Sequence, residues 1–222
     1  MTMKIIEQSI QFEEPINGEE ILWKLERAAR NCYKSEGKNS ERDRAKRDAL
    51  LRHAVKRGHT SVLEHVSLTF RVTTNRGVSH EWVRHRIGWS YSQESTRYCN
   101  YGHSEGITVI WPWFLGQQPA KLADGYGGTQ LLWVLAMENA ERSYLDMLEA
   151  GCKPEEARDV LPSALKTEIV CTANIVALRH FFRQRCTRMA HPQIRALALQ
   201  LLEKLNAEIP ILFEDLAEEF LK

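Results

Sequence analysis

Val66, Leu68, Phe70 and Val72 alternate with Ser67, Thr69, Arg71 and Thr73 in the middle of a helix-rich third of the chain. Successive strand residues point to opposite faces, so this segment reads as a strand with one buried face. Helices precede it. Residues 18–33 carry Ile21, Leu22, Leu25, Ala28, Ala29 and Cys32 at helical spacing. A charged helix follows, opened by Ser40 with Asp43 three residues on as a capping box and stopped by Gly58. Its seven basic residues between Arg42 and Arg57 are interleaved with Glu41, Asp43 and Asp48, the pattern of a solvated face.

Beyond the strand, Asn75-Arg-Gly reads as a turn leading to a short helix through Trp82, Val83 and Ile87. Residues 88–106 are polar and hold no apolar period long enough for a core element. A second strand is expected at Ile107–Trp111, ended by Pro112, and a Gly-rich loop at Asp124–Gln130. A long helix then runs from Thr129 to Ala150, with Gly151 as its stop. The last third offers a short helix from Pro154 to before Pro162 and a strand at Thr167–Ala173. Asn174 N-caps a helix to about Thr187, and two more helices meet around Pro210. Helices and strands mix without regular βα alternation. The expected fold is therefore α+β, one domain over residues 1–222 with a central, mainly antiparallel sheet.

Composition removes several function classes. The 222 residues hold 30 Lys+Arg against 29 Asp+Glu and are 43% hydrophobic, which excludes global disorder and binding by overall basicity. Leu131–Met137, the longest apolar stretch, is too short to cross a bilayer, and the first residues lack the apolar core of a secretory signal. A cytoplasmic protein without membrane or nucleic-acid partners is expected. Five cysteines, an odd number without a C-x-x-C pair, argue against a disulfide framework and a cysteine zinc cage. Buried, inert thiols are the plainer reading. The eight histidines lack the i, i+4 pair of a helical metal site, so no metal is expected.

Three stretches could carry chemistry. Arg84-His85-Arg86 sits on the expected helix, where neighbours point about 100° apart, and is either a basic surface patch or a ligand site. Ser90, Ser92, Gln93, Glu94, Ser95, Thr96, Arg97 and Tyr98 follow, crowding hydrogen-bonding groups into a segment with little to bury. Arg beside Ser, Thr and Gln suits a phosphate and a nucleobase edge. Between Ile169 and Leu202, Arg179, Arg183, Arg185, Arg188 and Arg195 stand without an acid or a lysine. That pattern suggests anion binding, with coiled-coil or nucleic-acid contact as its alternatives. The third stretch, Gly58 to His65, reads as a polar loop that either approaches a ligand or caps a helix.

At these places the chain resembles the flavin-dependent thymidylate synthases. The R-H-R motif appears as Arg84-His85-Arg86, followed after eight residues by Ser95 and continuing as Ser95-Thr96-Arg97-Tyr98. His59, Ser61, Glu64 and His65 match an H-x-S-x-x-E-H loop, and Ala157, Arg158, Leu161 and Pro162 an A-R-x-x-L-P turn. Asn174, His180 and Arg185 match N-x(5)-H-x(4)-R. Several motifs in order over nearly the whole chain are far more specific than R-H-R alone.

The resemblance implies a homotetramer with sites shared between subunits, converting deoxyuridylate (dUMP) to thymidylate (dTMP). Methylenetetrahydrofolate would give the carbon and FAD, reduced by NADPH, the hydride, without a cysteine nucleophile. It assigns FAD to Ser61, Arg84, His85, Arg86, Gln93, Asn174 and His180, with His59 beside the flavin near the folate entrance. The nucleotide falls to Glu81, Arg84, Gln93, Glu94, Ser95, Thr96, Arg97, Arg158 and Arg185. Arg185 is the catalytic residue, its guanidinium lowering the cost of negative charge on the uracil ring. Two positions depart from the pattern: Glu81 stands where Gln is usual, and Val176 where some relatives carry Arg. The rival class, a nucleic-acid-binding module, is opposed by the near-zero net charge and by basic runs that lack interleaved aromatics.

Overall fold

The computed structural model describes residues 3–32, 43–103, 106–118 and 126–222. Two short strands open the chain, β1 (Lys4–Ile6) and β2 (Ser9–Phe12), of 3 and 4 residues. Neither was expected, because such lengths are too short to establish an alternation. Helix α1 (Gly18–Cys32) turns Leu22, Leu25 and Ala29 inward, as its period predicts.

Helix α2 (Arg44–Arg57) corrects two expectations. Its N-cap is Asp43, whose Oδ1 accepts from the Lys46 amide at 3.1 Å, while Ser40 lies outside the described residues. Its basic residues are not all solvated. Arg47 is 2% exposed, its Nη1 2.9 Å from Glu19 and its Nε 2.7 Å from Asp48, with the guanidinium 4.6 Å over the Trp23 ring. Gly58 ends the helix at φ +70°, a left-handed conformation that suits glycine. The expected polar loop behind it is a 3-10 helix, Thr60–His65, anchored by buried Val62 and Leu63.

Strand β3 (Ser67–Asn75) buries Leu68, Phe70 and Val72, the alternation read from sequence. The expected Asn75-Arg-Gly turn is instead a helix start. Asn75 Oδ1 accepts from the Val78 amide at 2.8 Å and caps α3 (Arg76–Trp82). That helix stops before the R-H-R segment, which lies on a turn rather than on a helix. An unexpected strand, β4 (Trp89–Gln93), follows. It has no fully buried residue, so it lacks the hydropathy contrast that would have announced it. The expected second strand is β5 (Thr108–Ile110).

Helix α4 (Gly128–Glu149) spans 22 residues and takes Gly128, Thr129 and Gln130 from the expected loop, of which Asp124 and Gly125 lie outside the described residues. Then come α5 (Pro154–Ala157), β6 (Lys166–Asn174), α6 (Ile175–Arg185), α7 (Pro192–Glu208) and α8 (Pro210–Phe220). Asn174 caps α6 as expected, its Oδ1 accepting from the Ala177 amide at 2.8 Å.

The fold is α+β with a mainly antiparallel sheet in the order β2-β3-β6-β4, plus a parallel pair of β1 with β5. The chain divides into two compact units, each assembled from three segments. The first takes Met1–Ser9, Val72–Val83 and Ser92–Ile169, and its core gathers Ile107, Val109, Met137 and Leu165. The second takes Ile10–Arg71, Arg84–Tyr91 and Val170–Lys222. Its core stacks α1 on α2, α6 on α7 and α7 on α8, with Phe182 edge-on to Phe213 at 5.8 Å.

Candidate active site

In the second unit, the R-H-R turn points its members different ways. Arg84 and Arg86 are exposed, and Ile87, expected to face inward on a helix, is 94% exposed. His85 is buried at 7% exposure, its ring edge-on to Phe181 at 5.0 Å and close to Trp89. A continuing helix would offer the His85 carbonyl to the residue 89 amide. The Tyr91 hydroxyl donates to that carbonyl instead, which holds the segment as a turn.

The Arg185 Nε–H, at the end of α6, donates to His85 Nε2 at 3.0 Å. Burial above all, and then the charges of Arg185 and His180, push the His85 imidazole down to about 4. It is therefore neutral at pH 7, with its Nε2 lone pair available to the arginine. Gly88, at φ +75°, closes the turn tightly: a Cβ there would stand 2.7 Å from Asn174 Nδ2 and 3.0 Å from Ala177. The Asn174 amide returns the contact by donating to the Gly88 carbonyl at 3.1 Å. His180 is exposed, with Gln184 Nε2 at 2.9 Å from its Nε2. His59 and Ser61 line a cavity of about 260 Å³ with Ala29, Cys32, His53 and Val62.

The acid-free arginine stretch needs a partial correction. Arg179 does not serve a ligand: it is 5% exposed, reaches Asp215 at 2.6 Å and also donates to the Leu212 carbonyl. Asp215 belongs to α8, so the missing acid comes from elsewhere in the chain. Arg195 Nε donates to the Cys186 carbonyl at 3.1 Å. Arg183 and Arg188 remain exposed.

In the first unit, the polar segment after β4 is held from several sides. Gln93 Nε2 donates to Ser79 Oγ at 2.9 Å and Thr167 Oγ1 at 3.1 Å. Glu94 accepts from the Tyr101 hydroxyl at 2.8 Å and from Lys166 Nζ at 3.1 Å. Burial opposes the Lys166 charge, but bonds to Glu168 and Glu94 keep its pKa above the ordinary lysine value. Ser95 Oγ accepts from the Arg97 amide at 3.3 Å, and Thr96 Oγ1, in a buried residue, from Arg158 Nη1 at 3.2 Å. Arg97 is exposed, 3.4 Å from Glu155 and over the Tyr98 ring. Glu81, on α3, is half-buried.

Sequence reading missed the residues that brace this segment. Arg76 donates to the Glu94 carbonyl at 3.0 Å and to Thr167 at 3.2 Å, while Lys166 and Tyr101 hold the Glu94 carboxylate. The available signals were Arg76 directly after a strand end and Thr167 at an inward strand position. Burial pushes the Cys171 thiol far up and that of Cys186 up to about 12, so neither ionises near neutrality. Among the described residues no three His, Cys, Asp or Glu side chains cluster to hold a metal, and no helix is long and apolar enough to cross a membrane.

A family model described as thymidylate synthase complementing protein matches residues 21–211. The flavin-dependent thymidylate synthase of Geobacter sulfurreducens is 35% identical over 192 residues, covering 85% of this chain and 78% of the relative. That of Corynebacterium efficiens is 34% identical, covering 96% of this chain and 86% of the relative. Among solved structures, the UMP/dUMP methylase PolB from Streptomyces cacaoi, bound with 5-Br dUMP, superposes with a TM-score of 0.78 at 25% identity. That likeness covers 99% of this chain and 98% of the methylase.

Proposed function

Because the chain belongs to the flavin-dependent thymidylate synthase family and is an enzyme of that type, we propose that it reductively methylates dUMP to dTMP. The carbon comes from methylenetetrahydrofolate and the hydride from FAD reduced by NADPH. The reading is carried by one observation: Arg158 reaches Thr96 across 62 positions, in the loop that also holds Ser95 and exposed Arg97. Guanidinium and hydroxyl donors gathered on one loop suit a phosphate dianion.

The donor set fits FAD by its chemistry. Arg84 and Arg86 are exposed cations suited to a pyrophosphate, and His59 and Ser61 line one cavity. Asn174 spends its carbonyl on the α6 cap and keeps its amide nitrogen as a donor, while His180 and Gln93 complete the set. When bound there, FAD supplies hydride chemistry that no protein side chain offers.

The chain's own residues prepare the pyrimidine. Arg185 binds the N3 and O2 edge of uracil and lowers the cost of the negative charge that makes C5 nucleophilic. Arg84, Arg97, Arg158, Ser95 and Thr96 hold the nucleotide, with Glu81 and the Gln93 carbonyl oxygen toward the base. Both carboxylate oxygens of Glu94 are engaged by Tyr101 and Lys166, so Glu94 serves the nucleotide through the backbone it fixes. The reaction needs no thiol, in keeping with the raised pKa values of Cys171 and Cys186.

The whole chain acts as one catalytic domain, since each compact unit draws on three separated segments. It works in the cytoplasm as a homotetramer with sites shared between subunits. Ile87 and Met189, each 94% exposed, are apolar side chains that a second copy would cover. The test is tritium release from dUMP labelled at C5, with FAD, NADPH and methylenetetrahydrofolate, and with UMP in a parallel assay. Tritium release from dUMP together with dTMP formation is expected. No release from a flavin-loaded protein would reject the reading.

A further inference from the structure

We propose that His85 is a positioning residue whose imidazole, accepting at Nε2 from the Arg185 Nε–H, fixes the guanidinium in the orientation it uses on the pyrimidine. The inference rests on the role given to Arg185 above. Its geometric basis is a contact of 3.0 Å between side chains 100 positions apart in the chain. The ring is held in turn: Phe181 packs edge-on at 5.0 Å, Trp89 lies at 6.2 Å, and the Tyr91 hydroxyl fastens the His85 carbonyl. With the residue 7% exposed, the imidazole has little freedom to swing away.

The choice of acceptor matters chemically. Arg47 and Arg179 are held by Glu19, Asp48 and Asp215, whose carboxylates cancel the guanidinium charge they orient. A neutral imidazole takes one N–H of the fork and cancels none of the charge. That suits an arginine whose work is to stabilise negative charge developing on a substrate. Arg185 and His180 of α6 face the ring, and Arg84 and Arg86 flank it in sequence. These groups favour the neutral form that the contact requires. In this arrangement the imidazole serves the arginine, and the flavin is left to the exposed Arg84 and Arg86.

Two variants separate positioning from packing. His85→Phe keeps a ring but has no acceptor, while His85→Gln offers an oxygen at similar reach. In the tritium-release assay, H85F is expected to lower kcat roughly ten- to a hundredfold with a smaller change in the KM for dUMP, and H85Q to restore most of it. Equal impairment of both variants, or an unimpaired H85F, would overturn the inference. If H85F does not fold, ¹⁵N NMR of histidine-labelled wild type decides, with the His85 signals identified by their loss in H85Q. The proposal requires a proton on Nδ1 and none on Nε2 at neutral pH, and a protonated Nε2 refutes it. A wild type with that tautomer but no activity on dUMP would reject the assigned reaction and leave the contact standing.

Discussion

The segment Gln93–Thr96 and the turn Arg84–Arg86 are both rich in polar side chains, yet they are treated oppositely. Each polar side chain of the first is bonded within its own unit: Gln93 to Ser79 and Thr167, Glu94 to Tyr101 and Lys166, Ser95 to the Arg97 amide, Thr96 to Arg158. In the second, Arg84 and Arg86 stay exposed while His85 is buried and bonded to Arg185. A pre-bonded segment recognises by shape, since its donors and acceptors cannot reorient. The turn recognises by charge, and a neutral residue supplies its rigidity.

The largest expected effect bears on the charged side of this contrast. Replacing Arg185 by Lys should cost on the order of a hundred- to thousandfold in kcat, because a point charge cannot reproduce a forked contact. Flavin should still co-purify with the variant, as its absorbance would show; unchanged turnover would remove Arg185 from the chemistry.

A pH titration probes the same turn through stability. His85 titrates near 4 when folded against 6.5 in an open chain. As pH falls from 6.5 to 4 the unfolded chain takes the proton first, so stability falls by about 3 kcal/mol over that window and is level above it. Denaturant melts of wild type and H85Q should differ by that amount between pH 7 and 4, and parallel curves would contradict the lowered pKa.

On the pre-bonded side, Arg158→Ala should raise the KM for dUMP roughly ten- to a hundredfold and change kcat less, from steady-state kinetics. An equal loss in kcat would move Arg158 from holding the substrate to the reacting centre. Glu94→Gln weakens the bonds to Lys166 and Tyr101 and should cost about 2 kcal/mol in urea melts. If the segment works by fixed shape, the KM for dUMP should rise with it. Smallest of all, Cys171→Ala and Cys186→Ala should each cost about 1 kcal/mol and leave turnover unchanged. A dead single variant would restore thiol chemistry to consideration.

Much of the fold was legible where its causes are local. The β3 alternation, the Asn174 cap and the Gly58 stop each depend on residues within one turn or one strand. Failures came where the deciding contact is distant or the contrast is weak. Strand β4 has half-buried and exposed positions only, so alternation left no trace in hydropathy. The R-H-R segment carries a helical apolar pattern through Trp82, Val83 and Ile87, but the Tyr91 bond to the His85 carbonyl breaks the helix. For the site, motif order selected the loops, whereas the bracing by Arg76, Lys166 and Tyr101 could be seen only in three dimensions.

The sequence by itself determined the α+β class, the order of elements and the residue types gathered in the site, because patterning and spacing are properties of the chain. Tertiary structure decided what each charge does. Arg179 and Arg185 stand six positions apart on α6, yet one is neutralised by Asp215 and the other held by His85. The physical reason is that an arginine's role depends on the charge of the group that meets it, and folding brings that group from α8 in one case and from a turn 100 positions away in the other.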